Sequence, residues 1–90
     1  MNHQSQVPPV VYAYLRNIGT DPRSHPTIAQ VFKPGRGWVR YPGRKFISAS
    51  WAQKLRASEG VTHLGLRVAP GRVADFSVAE ILRRKPWPVA

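Results

Sequence analysis

Hydrophobic and polar positions alternate most regularly between Val61 and Val68. Leu64, Leu66 and Val68 fall on one side there, and His63, Gly65 and Arg67 on the other, which predicts a half-buried β-strand. Two segments carry helix punctuation. Ser50 precedes Gln53 by the capping-box spacing, Trp51, Ala52 and Leu55 share a face, and Gly60 is a C-terminal stop. Ser77 and Glu80 repeat that spacing, Phe76 and Ile81 have the separation of a hydrophobic staple, and Val78, Ile81 and Leu82 form an apolar stripe. Arg83, Arg84 and Lys85 complement the negative end of that last helix, and Pro86 ends it.

The other segments are read from residue type and turn chemistry. Val10-Val11-Tyr12-Ala13-Tyr14-Leu15 is rich in β-branched and aromatic residues and predicts a strand, closed by Asn17-Ile18-Gly19 and Asp21-Pro22. After Pro26, the helical spacing of Ile28, Val31 and Phe32 predicts a short helix or helical turn, with a strand as the alternative; Pro34-Gly35 ends it. Gly37 to Tyr41 and Arg44 to Ser48 flank Pro42-Gly43. That pair suits the centre of a type II turn and predicts a hairpin, or a looser loop. Pro70-Gly71 supplies another turn.

The resulting order is βαββαβ followed by a helix. It predicts a single α+β domain over residues 1–90: a small antiparallel sheet with helices on one face, in ferredoxin-like or split βαβ order, plus a C-terminal helix. A strongly bent sheet or small barrel with two helices is the alternative. Residues 1–8 read as a loose arm and 86–90 as a short apolar tail, with Trp87 packing back on the domain.

Side-chain parity then sorts the strands. If each turns its aliphatic residues toward the helices, Tyr12, Tyr14, Arg16, Trp38, Arg40, Arg44, Phe46, His63 and Arg67 emerge together on the opposite face. Trp51 is assigned to the core beside Leu55.

Charge gives that face a meaning. The 90 residues hold 14 Lys and Arg against 4 Asp and Glu, a formal net charge of +10. Self-repulsion of this size opposes folding and is relieved by an anionic partner. Five cations and no acid lie between Lys33 and Lys45. Rings interleaved with guanidinium groups suit single-stranded nucleic acid, whose bases stack while its phosphates pair with cations. Lys33, Arg36, Arg40, Arg44, Lys45, Arg16 and Arg67 are therefore the candidate phosphate contacts, and Tyr12, Tyr14, Trp38 and Phe46 the candidate stacking residues. No sequence-specific reading is expected, and the choice between RNA and DNA stays open.

The remaining composition removes other chemistries. There is no Cys, which excludes disulfides and thiolate chemistry and fits a reducing, cytoplasmic setting. The first residues carry no signal-peptide pattern, and no apolar run approaches membrane-spanning length. His3, His25 and His63 have no metal-ligand spacing, and Asp21, Glu59, Asp75 and Glu80 are scattered, so neither a metal, a cofactor nor a paired-carboxylate site is expected. The expected function is non-enzymatic binding of nucleic acid. The second reading is a phage or mobile-element protein that inhibits a host complex through an acidic or nucleic-acid-associated surface. The third is a small toxin-type ribonuclease with His63 as acid or base.

Overall fold

The computed structural model describes residues 7–20 and 26–83. Expectations for residues 1–6, Asp21, Pro22, His25 and 84–90 lie outside the described residues; of the expected loose arm, Val7 and Pro8 are described and are buried against the core.

The chain runs α1 (Pro9–Asn17), β1 (Thr27–Lys33), β2 (Gly37–Arg40), α2 (Ala49–Glu59), β3 (His63–Ala69), β4 (Arg72–Ser77) and α3 (Val78–Ile81). The strands form one antiparallel sheet in the order β2-β1-β3-β4. Among the described residues, the buried positions of all three helices and of the sheet form a single core. Val10, Val11 and Leu15 of α1, Ala52 and Leu55 of α2, and Val78 and Ile81 of α3 meet Ile28, Val31, Leu64, Leu66, Val68 and Phe76. The fold class is thus the expected one, α+β with helices on one face of a small antiparallel sheet. The order of elements differs from split βαβ: two adjacent hairpins replace the crossover arrangement.

Three corrections account for the difference. First, Val10 to Leu15 is a helix. Val10, Val11, Leu15 and Ile18 recur at the period of a helix face, and Pro9 occupies the first turn, where its missing N–H costs nothing. Periodicity here outweighs the β-propensity of Val and Tyr.

Second, the segment after Pro26 is the strand β1. Its register slips between Ile28, opposite Leu66, and Gln30, opposite Gly65. Ala29 is the extra residue of a β-bulge. Because the bulge absorbs one position, Ile28 and Val31 both face the core although they stand three apart, which imitates helical spacing. Phe32 consequently turns to the opposite face.

Third, the hairpin uses Pro34-Gly35. The Arg36 N–H donates to the Lys33 carbonyl at 2.9 Å, and Gly35 has φ 89°, the sign that the third position of a type II turn demands. Pro42-Gly43 lies instead in the loop leading to α2. The expected strand Arg44 to Ser48 shrinks to one bridge, Phe46 opposite Thr27, braced by Ile28 N–H donating to Lys45 O at 2.9 Å and Ile47 N–H donating to Pro26 O at 3.0 Å.

Strand β4 was not foreseen. Its inward residues are Ala74 and Phe76 and its outward ones Val73 and Asp75, so a small side chain inside and an apolar one outside blur the alternation. The cap of α2 is Ser48 instead of Ser50, two residues earlier than expected: Ser48 Oγ accepts from the Trp51 N–H at 3.1 Å. At α3 both halves of the capping box form, Glu80 N–H to Ser77 Oγ and Ser77 N–H to Glu80 Oε1, each at 3.1 Å. Ser77→Ala is expected to lower stability by about 1 kcal/mol, read from urea unfolding.

Candidate functional site

Residues paired across neighbouring strands share a face of the sheet, and the registers lay the uncovered face out in three rows. The first is Trp38, Phe32, His63 and Ser77. The second is Arg40, Gln30, Gly65 and Asp75. The third is Phe46, Thr27, Arg67 and Val73. Exposure confirms that the described helices leave this face open: Trp38 is 41% accessible, Phe46 51% and Val73 48%.

From Trp38 to His63 the first row is a continuous aromatic ribbon. Phe32 meets Trp38 edge-to-face at 5.4 Å between ring centroids, and His63 likewise at 5.9 Å. Edge contacts of this kind hold the rings in place without covering both faces of each. His63 Nδ1 also shares a 2.9 Å hydrogen bond with Thr62 Oγ1, which fixes the imidazole.

The third row is anchored by Arg67. Its Nη1 donates to Thr27 Oγ1 at 3.3 Å and to the Ile28 carbonyl at 3.2 Å, so the guanidinium is held along the sheet. Arg67, Phe46 and Arg44 line an open cleft at this end of the sheet together with Thr27 and Gly43.

The middle row depends on Gly65. A Cβ built there would lie 2.7 Å from Gln30 Cγ, 3.1 Å from Gln30 Nε2 and 3.2 Å from Val73 Cγ1. The absence of a side chain lets the Gln30 amide lie across β3, between Arg40 and Asp75.

The structure therefore brings together Trp38, Arg40, Arg44, Phe46 and Arg67 from the expected set. Arg36 sits at the exposed tip of the β1–β2 turn, two residues from Trp38. The other expected residues are elsewhere. Tyr12, Tyr14 and Arg16 belong to α1 in the helical layer; the two tyrosines pack on the core, Tyr14 edge-on to Phe76 at 5.3 Å. Lys33 pairs with Glu59 at the end of α2 at 2.9 Å. Lys45 lies 4.0 Å from the Trp51 ring centroid, and Lys54 lies 5.1 Å from the same ring. Trp51 itself is half-buried and donates from Nε1 to Tyr41 Oη at 3.1 Å. These cations carry charge on the helical side instead of the open face.

Phe32 and Gln30 are the members that sequence reasoning missed. The signal for them was the strand alternative for their segment: with one bulge, Ile28 and Val31 turn inward and both residues turn out.

Among the described residues no three His or acidic side chains gather as metal ligands, and no helix is long and apolar enough to cross a membrane. Comparison with protein families, with curated proteins and with solved structures returns no match.

Proposed function

We propose that this protein binds single-stranded nucleic acid on the open face of its sheet and does so without catalysis. The observation that carries the reading is the aromatic ribbon Trp38–Phe32–His63 lying on the same face as Arg40 and Arg67. Unstacked bases find rings to lie on, at about 1–3 kcal/mol each, and phosphates find guanidinium groups beside them. A duplex presents no free base faces to such a surface, so single strands are favoured. Phe46 and Arg44 extend the same chemistry to the far end of the sheet.

Fluorescence anisotropy with short labelled oligonucleotides across a salt series tests the reading. Arg40, Arg44 and Arg67 each neutralising one phosphate correspond to a slope of about −2 in log K against log salt, at roughly −0.7 per contact on a single strand. Arg40→Glu combined with Arg44→Glu should abolish binding while the thermal transition stays in place, since both side chains are exposed. Failure to bind at low salt, together with capture of an acidic protein complex, would replace the nucleic-acid reading by an inhibitor that covers an acidic surface. Oligonucleotide cleavage that disappears in His63→Ala would replace it by a ribonuclease.

A further inference from the structure

A carboxylate stands on the face assigned to a polyanion. Asp75 is exposed on β4, in the same row as Gln30 and Arg40. Of the other described acids, Glu59 pairs with Lys33 and Glu80 closes the capping box. Asp75 has neither an ion pair nor a hydrogen bond among the described residues. On a chain of net charge +10, with cations on the same face, an unpaired carboxylate repels phosphate and weakens non-specific binding. Toward a nucleic-acid ligand it is favourable only where that ligand donates hydrogen bonds.

Such donors are found on base edges. The aromatic ribbon is two residues along the strands from the Gln30–Asp75 row, about 7 Å away. A base lying on Phe32 or His63 would point one edge across that gap toward the Gln30 amide and the Asp75 carboxylate. An ionised carboxylate only accepts, so it matches an exocyclic amino group and opposes a carbonyl. Cytosine offers an N4 amino group where uracil and thymine offer O4, an acceptor.

We infer that Asp75, with Gln30 beside it, makes the open face select bases that present an amino group, cytosine over uracil or thymine. The inference rests on the nucleic-acid reading above and adds base preference to it. A charged residue on β4 also has a purely structural explanation, since β4 is an edge strand and charge discourages pairing with another chain. That explanation gives no base preference, so the two separate experimentally.

The test compares binding of oligocytidylate and oligouridylate of equal length to the full chain by anisotropy at low salt, alongside Asp75→Asn. One charge-assisted hydrogen bond corresponds to about tenfold tighter binding of the cytidine oligomer. In Asp75→Asn the preference should fall to about one, because an amide serves either edge, and uridine affinity should rise as the repulsion disappears. An unchanged thermal transition shows that the variant is folded. Equal affinity of the wild-type protein for both oligomers overturns the base preference and leaves the binding reading standing. Binding of neither overturns both. A preference that survives in Asp75→Asn also overturns the assignment, because it would then arise from another group.

Discussion

Replacing Phe32 and Trp38 together by alanine is expected to weaken oligonucleotide binding by about thirtyfold or more, without changing the slope of affinity against salt. Each ring stacked by a base contributes about 1–3 kcal/mol, and the two together correspond to about 2–6 kcal/mol if they act independently. Neither ring carries charge, so the number of phosphates neutralised stays the same and the salt slope with it. Reversing Arg40 and Arg44 acts on the opposite quantity, which makes the two sets of variants complementary. Phe32 is half-buried, and its truncation also removes edge contacts to Trp38 and His63. Phe32→Leu separates the effects, since it keeps apolar bulk at the sheet surface and loses the π-face. Tyr12→Ala should leave binding unchanged, because Tyr12 lies in the helical layer. Equal loss of binding in Tyr12→Ala and in the double variant would move the site away from the sheet.

Leu66→Ala is expected to produce the largest loss of stability. Leu66 is fully buried on β3 and pairs with Ile28 of β1 and Ala74 of β4, so it occupies the middle of the sheet and of the core. Truncation at such a site costs about 2–5 kcal/mol, from lost transfer energy and the cavity left behind. A small domain holds about 5–15 kcal/mol in total, and one of this length lies toward the lower end. Urea unfolding followed by circular dichroism should show a markedly lower midpoint, with the variant at the edge of stability at 37 °C. A shift corresponding to less than 1 kcal/mol would mean that the sheet and helices close the cavity by moving together.

Half of the open face was legible in the sequence, and the reason lies in parity. Trp38 and Arg40 alternate with Val39, Phe46 with Ile47, and His63 and Arg67 with Leu64, Leu66 and Val68. In each case one aliphatic neighbour settles which side faces the helices, and the registers agree. Where parity misled, two physical effects competed. In Val10 to Leu15 the residue types favour a strand and the spacing of buried positions favours a helix; burial of one continuous stripe against the sheet decides for the helix. In Thr27 to Lys33 the spacing favours a helix and a single bulge makes it compatible with a strand. The two errors exchanged the roles of adjacent segments, so the α+β class survived while the order of elements did not. Tyr12 and Tyr14 left the expected surface and Phe32 and Gln30 took their place. The Pro-Gly signal was sound in kind, since Gly35, Gly43 and Gly71 all have positive φ, but only pairing with a second strand distinguishes a hairpin from a loop. Lys33 and Lys45 needed coordinates, because Glu59 is remote from Lys33 in sequence and only the course of the loop before α2 brings Lys45 over the Trp51 ring.

The bulge at Ala29 divides β1 into two stretches that tolerate changes of length differently. Excision of Ala29 removes a residue that has no counterpart on β3 and leaves Gln30, Val31 and Phe32 with their present neighbours. Excision of Val31 instead rotates every side chain upstream of it relative to the β1–β2 turn, placing an amide against the core or an aliphatic in water. Natural or engineered shortening of this segment is therefore neutral for the aromatic ribbon at one position and ruinous two residues later.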